Sequence, residues 1–195
     1  MMKSAFKKNV FAAALVAGSM AVGQPAFADT YTIDPRHSFV EFVISHLGFS
    51  LMQGNFNDLS GSFEYDPKKP NEANVSVVIK TKSVDTNDAE RDKHIRNEDF
   101  LHVDKFPEAT FTSTKATLDE KGGKLEGKLT LHGVTKPITI NVNAIGAGDD
   151  PWGGYRRGYL GETTIKRSDF DMRYNLGPLA DEVKLRLFIE GIKKK

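Results

Sequence analysis

From residue 39 onward, apolar and polar positions alternate along the chain. Residues 39–46 read FVEFVISH, which sets Val40, Phe42 and Ile44 on one face. Over 54–65, Leu59, Phe63 and Tyr65 fall on alternate positions. In 74–81 (NVSVVIKT) Val75, Val77 and Ile79 share a face, and Phe111 stands in the Thr-rich stretch 109–118. Leu125, Leu129 and Leu131 alternate with Glu126, Lys128 and Thr130, and Ile138, Ile140, Val142 and Ala144 repeat the pattern. Residues 155–166 form a long, weakly apolar run, and Val183, Leu185, Leu187 and Ile189 close the series. A period of two over many short segments predicts antiparallel strands, each with one buried face. Turn signals separate them: Pro67 and Pro70, then Gly122-Gly123, then 133–137 (GVTKP), then 146–154 with Asp149, Asp150, Pro151 and Trp152. After a short N-terminal strand at 31–33, this predicts an all-β fold of eight main antiparallel strands. Such a set suits a barrel, which leaves no exposed edge and encloses room for one ligand. A two-sheet sandwich fits the same periodicity.

One segment breaks the alternation. Asn87 is placed to cap a helix, with Glu90 three residues on as its capping-box partner. The stretch 89–97 (AERDKHIRN) offers Glu90–His94 and Asp92–Arg96 at i,i+4 spacing, and its only large apolar residue is Ile95. A helix this polar has no stripe for an ordinary core position. It is expected to flank one barrel end, with Phe100, Leu101 and Phe106 tucking in the chain beside it. A second short helical or irregular stretch is expected over 168–179.

The N-terminus is different again. Lys3, Lys7 and Lys8 precede the apolar run 10–22, and Ala26-Phe27-Ala28 has small-x-small cleavage character. Residues 1–28 therefore read as a secretory signal peptide, and 29–195 as one mature domain. The run is short for a bilayer core of about 30 Å, which argues against a membrane anchor. The whole chain carries 27 Lys+Arg against 26 Asp+Glu. Removing three lysines leaves 24 against 26, a net of −2, which offers no basic footprint for nucleic acid. With no cysteine, disulfides, thiolate metal sites and a cysteine nucleophile are excluded.

Candidate chemistry is sparse. The five histidines, His37, His46, His94, His102 and His132, show no metal-ligand spacing, so no metal site is expected. Asp149 and Asp150 read as a solvated turn rather than a calcium site. No G-x-S-x-G, H-E-x-x-H or P-loop motif occurs. Arg91, Asp92, His94 and Arg96 offer an acid–base or anion-binding set; the plainer reading is a surface helix held by ion pairs worth about 0.3–0.5 kcal/mol each.

Longer motifs say more. TNDAERDKH at 86–94, DFL at 99–101, FPEATF at 106–111 and LHGVTKP at 131–137 closely resemble the YceI family of periplasmic proteins, and the likeness extends over essentially the whole mature chain. The resemblance implies a lipocalin-like antiparallel barrel that holds a long polyisoprenoid lipid, an isoprenoid quinone or polyprenyl phosphate, in a Gram-negative periplasm. It implies no settled enzymatic activity and no cofactor beyond the bound lipid. In that setting the inward residues Val40, Phe42, Ile44, Phe63, Val77, Ile79, Phe111, Leu129, Ile140, Val142 and Leu187 are the expected lining. Arg91, His94 and Arg96 are the expected headgroup contacts. Transient contact with a membrane or membrane proteins is the expected partnership, and the oligomeric state stays open, a dimer included. The alternative is an enzyme acting on such a lipid, or another small substrate, through Arg91, Asp92 and His94.

Overall fold

A computed structural model describes residues 28–195. The expected signal peptide and its cleavage after Ala28 lie outside the described residues, apart from Ala28 itself. Eleven strands and one α-helix follow one another: β1 (Asp29–Ile33), β2 (Phe39–His46), β3 (Ser50–Phe56), β4 (Leu59–Tyr65), β5 (Asn74–Lys80), β6 (Val84–Asp85), α1 (Ala89–Arg96), β7 (Glu108–Leu118), β8 (Gly122–Leu131), β9 (Val134–Asp149), β10 (Tyr155–Lys166) and β11 (Glu182–Lys193). All pairings are antiparallel, and β1 meets β11, so the sheet closes.

The eleven segments make eight barrel strands. β1 and β2 pair in succession along β11, from Tyr31 opposite Lys193 to Ile44 opposite Val183, and so form one strand broken at 34–38. β3 and β4 run back along them, with Val40 opposite Phe56 and Tyr31 opposite Phe63. β5 pairs with β4 and β6 with β3, separated by the 3-10 turn Thr81–Ser83. Every other neighbour pair is consecutive in the chain. The fold is thus an up-and-down barrel, the closed alternative of the two that the periodicity allows.

Several local readings shift. Asp88, not Asn87, caps α1: its side chain accepts from the Arg91 amide at 2.9 Å, while Asn87 takes a left-handed φ of 62°. The i,i+4 pairs do not form. Asp92 turns inward, where Oδ1 accepts from the Thr86 amide at 2.8 Å and its hydroxyl at 2.6 Å; His94 faces Asp99 instead of Glu90. A buried carboxylate gains more from two short donors than from an exposed guanidinium one turn away. The β8–β9 turn is only His132-Gly133, both at positive φ, so Pro137 stands in the strand opposite Lys128. The β9–β10 turn is likewise shorter than 146–154, because β9 continues to Asp149. Over 168–179 the irregular stretch contains the 3-10 turn Arg167–Phe170 and leads into a second, Pro178–Ala180.

Two apolar clusters stack along the barrel axis. One, around Tyr31, Leu59, Phe63, Phe111 and Ile140, fills the wall of the end where β1 begins. The other, around Phe42, Val84, Leu101, Phe170 and Val183, belongs to the end where α1 lies.

Candidate functional site

The barrel is not filled. A cavity of about 620 Å³ occupies the α1 end, and one of about 120 Å³ continues toward the other. Val40, Ile79, Leu129 and Leu185 line both and form a waist between them. The larger compartment opens where the β2–β3 turn, α1 and the segment 171–176 converge, with Leu51, Arg91, His94, Phe100 and Tyr174 at its edge.

Pairing of aromatic rings with glycines accounts for the open interior. A Cβ built on Gly54 would stand 2.5 Å from Cζ of Phe42, the residue directly opposite. A Cβ on Gly127, diagonal to Phe111 across β7 and β8, or on Gly191, which lies across β1 from Phe63, would likewise run into the ring. Each ring therefore occupies space that a side chain at the glycine would take. Rings packed down on glycine thicken the wall and leave the axis empty.

Val40, Phe42, Ile44, Ile79 and Leu129 face the larger compartment; Phe63, Val77, Phe111, Ile140, Val142 and Leu187 face the smaller, which shares Val40, Ile79 and Leu129. The irregular segment after β10 adds Met172, Tyr174 and Leu176, which periodicity could not reveal because no regular element carries them. Arg167 holds that segment in place. Its guanidinium donates to the carbonyls of Ala180 (2.7 Å), Met172 (3.2 Å) and Tyr174 (3.2 Å). Burial lowers the Arg167 pKa from its ordinary value, partly offset by Asp181.

The polar candidates divide. Arg91 and His94 line the larger compartment. Arg91 donates from Nε to the Thr86 hydroxyl and from Nη2 to the Thr86 carbonyl, and His94 Nε2 lies 2.9 Å from Asp99. His94 also meets the rings of Phe100 and Tyr174 edge-on. Arg96 lines neither compartment: it is clamped on the carbonyls of Lys82 and Val84. Asp92 accepts from Thr86, whose hydroxyl in turn accepts from Arg91 Nε, and Asp92 itself does not line the cavity.

Sequence reading passed over one inward arginine. Arg157 lies over the Tyr65 ring, 4.3 Å from its centroid, beside Tyr31 and Tyr159 at the far end of the small compartment. Arg157 Nε and the Tyr159 hydroxyl, both sealed from solvent, have no hydrogen-bond partner among the described residues. Burial pushes the Tyr159 hydroxyl up to about 12, against the pull of Arg157, so it stays protonated at neutral pH.

Asp34, His37 and Glu190 come close enough to suggest a metal set on the outer wall. Arg156 already fills that role: it donates to Asp34 at 2.7 Å, to Asp150 at 2.8 Å and to Glu190. Burial opposes the Asp34 charge, but His37, Arg156 and the Arg36 amide outweigh it and hold the carboxyl well below the usual range. This network ties the β1–β2 break to the β9–β10 turn and to β11, and it is structural.

A closed up-and-down barrel with a two-compartment apolar lumen is the architecture of a small-ligand-binding barrel. The model of the YceI-like domain matches residues 31–191, and the chain belongs to that family. It is 50% identical over 190 residues to a UPF0312 protein of Pseudomonas aeruginosa strain UCBPP-PA14, covering 96% of this chain and 99% of that one. A UPF0312 protein of Shewanella baltica strain OS195 is 49% identical over 193 residues, covering 96% and 100%. Among solved structures, the Campylobacter jejuni YCEI protein superimposes with a TM-score of 0.69 at 34% identity, covering 78% of this chain and 91% of that one. A polyisoprenoid binding domain from Saccharophagus degradans shares the fold, with a TM-score of 0.62 at 22% identity over 86% and 99% of the two chains.

Proposed function

We propose that the protein is a periplasmic carrier that holds one long polyisoprenoid lipid, an isoprenoid quinone or a polyprenyl phosphate, inside its barrel. The observation that carries this reading is the lumen: two apolar compartments of about 620 and 120 Å³ that adjoin at Val40, Ile79, Leu129 and Leu185. Exposing a prenyl chain to water costs about 0.8 kcal/mol per CH₂, so a carrier must offer a surface nearly as apolar as the bilayer. The long, thin shape suits a chain better than a compact ligand. The ligand named for the Saccharophagus domain is consistent with it. A periplasmic setting rests on the leader-like residues 1–28, and the mature N-terminus is then Asp29.

The enzyme reading, with Arg91, Asp92 and His94 in concert, is weaker because Asp92 is directed at Thr86 and not at the cavity. Titrating delipidated protein with an isoprenoid quinone in mild detergent tests the carrier reading. One quinone per barrel is expected, displaced in Ile140→Asp, which sets an unpaired charge in the lining. No saturable uptake by the native protein would overturn it.

A further inference from the structure

We propose that the mouth of the barrel is a membrane-docking rim, through which the ligand passes directly between a bilayer and the lumen. This rests on the carrier reading above. Its basis is the distribution of exposed apolar side chains. Phe49 is 86% exposed, Leu51 75%, Leu179 66%, Leu47 52% and Tyr174 41%. All five belong to the two segments that border the opening, 47–51 and 174–179; the other two large apolar side chains exposed to this degree among the described residues, Ile145 and Trp152, stand apart on β9 and in the β9–β10 turn. The two segments touch, since a Cβ on Gly48 would lie 3.0 Å from Leu179 Cδ1. Leu51 and Tyr174 also line the cavity, so the outer apolar surface runs without a break into the lumen.

Both segments lack charge. From Leu47 to Asn57 the chain reads LGFSLMQGNFN, and from Tyr174 to Ala180 it reads YNLGPLA, in a chain where 27% of residues are charged. The backbone adds a second sign. Leu47 takes a left-handed φ of 53°, a conformation that Asn or Gly adopts at less cost. A leucine held there puts apolar surface at the tip instead of relieving the turn.

A bilayer fits this rim better than a second copy of the chain. Five partly exposed side chains present several hundred Å² at most, below the ~800 Å² that each partner of a standard interface buries. The surface is also two projecting loop tips around a hole, and a copy seated there would close the lumen. In a bilayer interface the same tips let a prenyl chain slide from lipid to lumen without crossing water, where every exposed CH₂ is unfavourable. The charges beside these segments are engaged, Arg173 with Asp171 and Arg91 with Thr86, so docking should depend little on anionic lipid or on salt.

The test compares native protein with Phe49→Ser/Leu179→Ser. These side chains are exposed and lie outside the lining, so the barrel and its capacity should survive. Uptake of an isoprenoid quinone is followed from phosphatidylcholine vesicles, and separately from detergent. Uptake from vesicles should slow at least tenfold in the variant, with loading from detergent unchanged and the native rate insensitive to salt. Equal vesicle rates overturn the rim and leave the carrier reading intact. Failure of both proteins to load even from detergent overturns the carrier reading and the rim with it. A native dimer that the double variant splits, seen by sedimentation, assigns the rim to a second copy and overturns the proposal.

Discussion

Asp34 and Arg91 show how far a charged residue can be read from sequence. Asp34 sits in a break between two strands, where its local partners are the Arg36 amide and His37; the arginine that completes the set, Arg156, which also donates to Glu190, comes from the far end of the chain. Its folded pKa is depressed, so the stability it contributes is present above the unfolded value near 4 and is lost as pH falls through the folded one. Asp34→Asn should therefore be less stable than native by about 1–3 kcal/mol at pH 7. The gap should stay constant above pH ~5 and narrow as acid is added. Urea melts across this range decide it, and a gap that widens in acid would contradict the assignment. Arg91 was visible as a candidate, but only coordinates separate it from Arg96. One reaches the cavity edge, while the other is bound to two carbonyls. Arg91→Gln should weaken polyprenyl phosphate binding about tenfold or more and leave a quinone nearly unaffected, because a guanidinium matters most to a phosphate. Arg96→Gln should not discriminate between them. Competition between the two lipids for each variant measures this.

At the scale of elements, faces were legible and registers were not. Alternation placed Val77, Ile79, Ile140, Val142 and Leu187 inward correctly, since a strand's period fixes its faces. Alternation cannot say that residue 54 lies opposite Phe42, and that pairing decides whether the ring crosses the lumen or lies against the wall. Arg157 was missed for a related reason. In a weakly apolar strand both faces carry polar residues, so the parity of 155–166 gives no clear inward set until Tyr159 and Gly161 are seen against the cavity. Gly161 offers a direct handle on the lumen. Its added Cβ would meet Ile140 Cγ2 at 2.9 Å and Leu187 at 3.4 Å, so a larger side chain must enter the small compartment. Gly161→Leu should fold with a loss of about 1–3 kcal/mol and lose affinity for the longest prenyl chains first. A chain-length series of quinones titrated against native and variant protein checks this; an equal loss at every length would place the chain elsewhere.

The whole molecule joins a strong wall to an irregular mouth. Eight strands close without an edge, and the far end holds Arg157 beside Tyr31, Tyr65 and Tyr159. At the mouth α1, the segment after β10 and the β2–β3 turn converge, each held by a polar contact to backbone: Arg91 on Thr86, Arg167 on three carbonyls, and the Gly48 amide on Ser45. The antiparallel all-β class was readable from eight alternating segments and their turns, but closure was not, because the same periodicity fits a two-sheet sandwich. The mouth was not, because contacts between irregular segments depend on positions that no periodicity encodes. The central claim is that the lumen holds a polyisoprenoid chain. Mass spectrometry of an organic extract of the exported protein, purified without detergent, tests it most directly. The account predicts one dominant species, an isoprenoid quinone or polyprenyl phosphate, near one per barrel, and depleted from Ile140→Asp that has kept its fold. An extract without isoprenoid, or one whose lipids match the bulk membrane and are unchanged in Ile140→Asp, would contradict it.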